Sequence, residues 1–195
     1  MRLELKMILL AGLLALAALP VAAQEAMVYI RGTVEKSDAQ ALAVKATDGS
    51  ERSFTLSSGT LFVANRPSSL DAIKAGDFVA SAAVKGADGK LHSTELRIFP
   101  EALRGLGEGQ RPMKAPNTMM TNAAVSEVVV VAPAQGRVLK VKYKDGTSEL
   151  VVGPKVPITA LVISDASVLK PGTKVTVGAT KAADGAMAAK RVFAD

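Results

Sequence analysis

The chain predicts an all-β protein of two tandem five-stranded barrels, each with one short helix between its third and fourth strands. Three observations predict it. The first is an internal repeat. Leu42-Ala43-Val44-Lys45 before Asp48-Gly49-Ser50 recurs as Leu139-Lys140-Val141-Lys142 before Asp145-Gly146-Thr147. Ile73-Lys74-Ala75-Gly76 recurs as Leu169-Lys170-Pro171-Gly172, Ala87-Asp88-Gly89 as Ala183-Asp184-Gly185, and Arg97-Ile98-Phe99 as Arg191-Val192-Phe193. The spacing stays near one domain length, so a domain-sized unit has been duplicated. The second observation is apolar alternation with a period of two, broken by Asp-Gly pairs. The third is a single short helical stretch at the same place in each repeat.

Val28, Ile30, Gly32 and Val34 alternate with Tyr29, Arg31, Thr33 and Glu35, which is strand periodicity. A second strand near 41–47 meets a third near 51–57 across Asp48-Gly49, a pair suited to a type I′ hairpin turn. A short extended piece spans Leu61 to Ala64. Ser68 stands three before Asp71, a capping-box-like start for one or two helical turns over Leu70 to Lys74, and Gly76 stops them. A fourth strand near 77–85 turns at Asp88-Gly89 into a fifth near 91–99. The second repeat gives strands near 125–131, 137–143, 147–152, 174–180 and 187–193, with a helical turn near 165–169 that Pro171 cannot prolong. Three strands, a short helix and two strands is the order of an OB-like Greek-key barrel. A two-sheet β-sandwich is the competing fold, and the helix at one fixed place favours the barrel.

The N-terminus reads as a secretory signal over 1–23. Arg2 and Lys6 precede an apolar run from Met7 to Leu19, and Val21-Ala22-Ala23 predicts cleavage after Ala23. The run is shorter than the ~20 residues of a spanning helix. The domains are then 24–99 and 123–195, with 100–122 between them. A chain without cysteine makes no disulfide, so each domain depends on its core. Export to a periplasm or beyond removes nucleic acid as a routine partner and leaves no transmembrane segment. The net charge is +6, and loss of Arg2, Glu4 and Lys6 lowers it by one. Such a field attracts anionic polymers, and equally serves solubility.

The stretch from Phe99 to Thr121 has no period and holds Pro100, Pro112 and Pro116 with Gly105, Gly107 and Gly109. A connection this long is a linker or a functional segment. Its ion-pairing candidates Glu101, Arg104, Glu108 and Arg111, with apolar Leu103, Leu106, Met113, Met119 and Met120, predict packing into the groove between the barrels.

Ile98-Phe99-Pro100-Glu101, Arg104-Gly105, Gly107-Glu108-Gly109, Arg111-Pro112 and Met120-Thr121-Asn122-Ala123 also carry a family resemblance, which extends to the hairpin from Lys142 to Gly146. Through them the chain resembles an uncharacterised bacterial family of exported proteins with duplicated OB-like domains. Relatives often carry a histidine and a tryptophan where this chain has Gln110 and Met113. The resemblance implies the fold and the exported location. It implies no activity.

The residues offer little reaction chemistry. The single histidine, His92, sits beside the Asp88-Gly89 turn, and no Gly-x-Ser-x-Gly elbow is present. Glu95, Glu101 and Glu108 are carboxylate candidates by number only, and with no tryptophan and two tyrosines the chain is poor in rings for stacking sugars or bases. The Asp-Gly pairs are isolated, one per hairpin, and read as turns and not calcium loops. Met113, Met119 and Met120 suit Cu(I) by thioether chemistry, or fill apolar gaps. Lys140, Lys142 and Lys144 alternate with Leu139, Val141 and Tyr143, an arrangement that meets an anionic polymer or simply faces water.

The sequence thus predicts an exported, non-enzymatic binding or scaffold protein of the bacterial envelope with no cofactor. Its predicted binding residues are Glu101, Arg104, Glu108, Arg111, Lys140, Lys142 and Lys144, and its partner an envelope protein or an anionic polymer. The alternatives are a periplasmic copper-binding protein using Met113, Met119 and Met120, and a carboxylate-dependent hydrolase.

Overall fold

The structure is a computed structural model and describes residues 26–132, 136–181 and 185–195. The predicted signal sequence and its cleavage site lie outside the described residues, as do Ala183 and Asp184 of the last predicted turn. The strands are β1 (Val28–Ser37), β2 (Ala41–Ala46), β3 (Glu51–Thr55), β4 (Leu61–Pro67), β5 (Phe78–Lys85), β6 (Leu91–Phe99), β7 (Gly109–Pro112), β8 (Thr118–Ala132), β9 (Gly136–Tyr143), β10 (Gly146–Val152), β11 (Ile158–Ser164), β12 (Lys174–Lys181) and β13 (Met187–Ala194). The all-β class predicted from alternation holds, and the thirteen strands form one mixed sheet.

Each predicted short helix is a single 3₁₀ turn, Leu70–Ala72 and Ala166–Val168. The N-cap of the first is Ser69, with no side-chain cap bond, so the capping box at Ser68 does not form. Asp165 does cap the second, accepting from the Ser167 amide at 2.8 Å. Gly76 and Gly172 follow at φ of 96° and 89° and turn the chain back into strand.

The hairpin at Asp48-Gly49 also differs from its expected form. Only Gly49 has positive φ, the Gly49 amide bonds to Ala46 O and the Ala46 amide to Ser50 O. That is a three-residue loop closed by a left-handed glycine rather than a type I′ turn. Gly86 to Lys90 repeats the pattern around Gly89.

The largest departure from expectation is in connectivity. Strands β1, β2 and β3 close a circuit with β13 and β12, through β1–β12 and β2–β3 antiparallel pairs and a parallel β3–β13 contact at Thr55↔Ala188. Strands β8, β9 and β10 close the matching circuit with β6 and β5, through Leu91↔Leu150 and His92↔Val151. Each five-strand circuit therefore takes three strands from one repeat and two from the other. The duplication is tandem in sequence and interleaved in space. Strands β4 and β11 carry the chain across: they pair with each other antiparallel, and join β13 and β6 in parallel. The short extended piece predicted at Leu61 is thus a full bridging strand. Its counterpart at Ile158 was not anticipated from the sequence.

Register shows the two halves to be equivalent. Val34↔Val44 is followed by a bulge at Glu35, and Val125↔Val141 by a bulge at Ser126. Ala82↔Glu95 precedes a bulge at Thr94, and Gly178↔Arg191 one at Lys190. These bulges make Leu96 and Val192 the equivalent core residues, both fully buried. The motif match of Arg97 to Arg191 is therefore two residues out of structural register.

Each circuit encloses a core drawn from both repeats. One packs Val34, Leu42, Val44, Phe54 and Leu56 against Leu169, Val175, Val177, Ala179 and Val192. The other packs Ile73, Val79, Ala83, Leu91 and Leu96 against Val125, Leu139, Val141, Leu150 and Val152. No helix among the described residues is long and apolar enough to cross a membrane.

Four turns are pinned by aspartates whose carboxyls lie below their usual range. Asp38 accepts the Gln40 and Ala41 amides, Asp48 the Ser50 hydroxyl and amide, Asp88 the Lys90 amide and His92, and Asp165 accepts from Ser167. Lowered native pKa values mean that the unfolded chain takes up protons first as pH falls. Their stabilisation is complete above the unfolded carboxyl range and is lost as pH drops through the lower native values. The melting temperature should be level from pH 7 to about 5 and fall below about pH 4. Asp→Asn at all four positions keeps turn-forming side chains and should make that fall shallower, as read by calorimetry across pH.

Candidate functional site

Where the chain crosses between circuits, a third apolar cluster forms. Val63, Leu103 and Leu161 are buried there, with Leu61, Phe99, Leu106 and Phe193 packed against them. Leu103 and Leu106 come from the segment between the repeats, which packs at the junction as expected. Pro100 leads into a 3₁₀ turn at Glu101–Leu103, and Gly105 and Gly107 bend the chain at φ of 79° and 63° into β7. Strand β7 then pairs with the N-terminal part of β8, Gly109↔Asn122 through Pro112↔Met119.

Over this cluster runs an open cleft of about 780 Å³ at its wider end. Its shared lining is Arg31, Glu95, Arg97, Met120, Thr176 and Asp195. Tyr29, Phe99, Leu106, Arg111 and Asn122 continue it along the junction, and Lys45 and Lys174 lie at the wide end. Strand alternation explains why β1 contributes Arg31. Ile30 and Val34 point into the core, which leaves Tyr29, Arg31 and Thr33 on the outer face.

The lining of the cleft is biased toward positive charge. Five basic side chains, Arg31, Lys45, Arg97, Arg111 and Lys174, face two acidic ones, Glu95 and Asp195. Arg97 reaches Glu95 only at 4.0 Å, Arg111 donates to Gly107 O at 3.0 Å, and Arg31 has no ion pair among the described residues. Asn122 is buried in the wall. Its Nδ2 donates to Leu106 O at 2.9 Å, while its Oδ1 has no partner among the described residues. Gln110 Nε2 ties β7 to Thr121 and Ser148 at 3.0 and 3.1 Å, so this edge of the cleft is stiffened by side-chain bonds.

The predicted site residues scatter. Arg111 lines the cleft. Glu101 and Arg104 bond to each other at 2.7 Å, and Arg104 Nη2 donates to Gly76 O at 2.8 Å, so the pair ties the inter-repeat turn to the start of β5. Glu108 is exposed on the turn before β7. Lys140 is paired with Glu127 at 2.8 Å, which raises its pKa. Lys142 is exposed on β9, and Lys144 lies in the turn beyond it. Met113 and Met120 face the cleft, but Met119 packs against the second core, because adjacent strand residues point to opposite faces. The three sulfurs are not brought together. No group of three or more His or carboxylate side chains is placed to hold a metal among the described residues. Among the described residues, His92 bonds only to Asp88 on an exposed turn, at 3.0 Å.

Sequence reasoning missed Tyr29, Arg31, Arg97 and Asn122. Their outward register was readable for β1, but only the interleaved topology sets Arg31 beside Arg97. Arg104→Ala should cost about 1 kcal/mol, the worth of an exposed ion pair plus one backbone bond, and Glu101→Gln less. Thermal denaturation checks both, and neither change should alter binding in the cleft.

The chain matches no known protein-family model, no curated protein and no solved structure.

Proposed function

We propose that the protein is an exported, non-enzymatic binding or scaffold protein of the bacterial envelope, and that it holds an acidic partner in the cleft between its two strand circuits. We read each circuit as an OB-like barrel with its 3₁₀ turn in the place of the short helix, and the chain as a member of the exported family with duplicated OB-like domains. One observation carries the functional reading: Arg31, Arg97 and Arg111 converge on one cleft that, among the described residues, contains two carboxylates. Guanidinium groups on an apolar floor suit carboxylate recognition, because each presents a planar fork of donors. The apolar floor of Phe99, Leu161 and Phe193 lowers the local dielectric and strengthens those contacts.

Poly-L-glutamate is a suitable first probe. Arg97→Ala combined with Arg111→Ala should weaken its binding by about tenfold or more, with little change in melting temperature. Wild-type binding should also fade with salt. Binding unchanged by the double substitution would overturn the assignment of the cleft.

A further inference from the structure

We infer that the cleft receives its partner as an added β-strand, an extended acidic peptide laid antiparallel along the free N-terminal edge of β1. This rests on the cleft being the binding surface. The molecule shows the arrangement once already. In β8, residues Thr118 to Ala124 pair with β5 on one side, and Val125 exchanges both its backbone bonds with the turn before β5. By alternation, Met120 and Asn122 turn their backbone groups to the other side, where Arg111 and Gly109 of β7 meet them.

Strand β1 is the counterpart of β8, with Val34 equivalent to Val125. Val34 likewise directs its amide and carbonyl to the turn before β12, at 2.9 and 2.8 Å. Tyr29 and Arg31 are therefore the counterparts of Met120 and Asn122, and their backbone groups point away from β12. The Arg31 carbonyl accepts the Thr47 amide at 3.0 Å. The Arg31 amide and both backbone groups of Tyr29 face an edge where, among the described residues, no strand pairs. The filled edge has β7, and the equivalent edge has no strand among the described residues. Val28 and Tyr29 are also among the most exposed large apolar residues, at 41% and 52%. Proteins usually blunt a free edge with charge, proline or a bulge; Val28-Tyr29-Ile30-Arg31 has neither proline nor bulge, and its one charge, Arg31, lines the cleft.

The two faces of this edge fix the chemistry of the occupant. Tyr29 and Arg31 lie on the cleft face, with Arg97 across from them. Val28 and Ile30 lie on the core face. An added strand then presents every second side chain to the arginines and the others to an apolar rim, so the occupant alternates acidic and apolar residues.

A fluorescein-labelled ten-residue peptide alternating Val and Glu is the probe, read by fluorescence anisotropy on the full protein. Wild-type protein should bind it, and a Val/Lys peptide should not bind. Tyr29→Pro removes the ring and, from the backbone, only a donor that faces the open edge, which edge strands tolerate, so it should keep the fold. Tyr29→Ser removes the ring as well but keeps that donor, so Tyr29→Pro should bind about tenfold or more weakly than Tyr29→Ser. The peptide N-methylated at every second residue should lose binding in one phase and keep it in the other, a test that needs no folded variant. Equal binding by Tyr29→Pro and Tyr29→Ser, equal binding by both methylated phases, or no binding by wild type would overturn the edge. If Arg97→Ala abolishes binding while Tyr29→Pro leaves it intact, the cleft stands and the added strand falls. If neither matters, both fall.

Discussion

Residues 24–99 and 100–195, produced as separate polypeptides, will each lack a cooperative unfolding transition, and mixing them at equal concentration will restore one. The expectation follows from the interleaving. In the first fragment, β1 to β3 keep Val34, Leu42, Val44 and Phe54 but lose the β12–β13 face that covers them. Its β5 and β6 keep Val79, Leu91 and Leu96 but lose β8 to β10. Each fragment exposes one side of both cores. A domain is stable by only ~5–15 kcal/mol, and uncovering half of two cores at roughly 25 cal/mol per Å² exceeds that. Circular dichroism on each fragment and on the mixture checks it. A monomeric 24–99 fragment that melts cooperatively would mean that a repeat closes on its own strands.

Gly32→Ala should be the most damaging single methyl addition in the first half, at about 3 kcal/mol, or a fall of about 6–12 °C in Tm. Gly32 is paired on both sides at once, with Ala46 of β2 and Val175 of β12. A Cβ there collides with the Lys45 carbonyl oxygen and lies 2.5 Å from Val44 Cγ1 and 2.9 Å from Ala46 Cα. Two of those three neighbours are backbone, so relief requires moving a strand. Gly49→Ala is the informative control. Gly49 has φ of 84° but nothing within 4 Å of a new Cβ, so it costs only the left-handed strain of about 1 kcal/mol. Denaturant unfolding of the two variants separates crowding from conformation.

The sequence displays what is local. Alternation from Val28 to Val34 marks the core-facing residues of β1, and the Asp-Gly pairs locate three hairpins among the described residues, though with the wrong loop type at Asp48-Gly49. Leu103 and Leu106 marked the inter-repeat segment as packed. Connectivity was illegible for a physical reason. The two copies are near-equivalent, so β5–β6 and β12–β13 present similar apolar faces to β1 to β3. Which copy closes the circuit depends on the path of β4 and β11, and those strands read only as a short extended piece and as nothing. The cleft inherits the same difficulty. Arg111 is identifiable from its segment, but Arg31 and Arg97 lie 66 residues apart in a chain whose repeats read as two separate units. Lys140 reads as free in the alternating stripe, because only the β8–β9 register sets Glu127 across from it.

A pair of engineered cysteines tests the interleaving, and with it the cleft, most directly. The chain has no cysteine of its own. Thr33 of β1 faces Lys174 of β12. Thr33 lies in the same phase as Arg31, so this is a non-hydrogen-bonded pair, whose Cα atoms lie ~4.5 Å apart in an antiparallel ladder, within disulfide range. A repeat closed on itself would instead set Thr33 opposite Phe78, the counterpart of Lys174. Thr33→Cys with Lys174→Cys and Thr33→Cys with Phe78→Cys would each be oxidised and mapped by mass spectrometry. The interleaved fold predicts a near-complete intramolecular bridge in the first protein and none in the second. A bridge in the second protein and none in the first would contradict it.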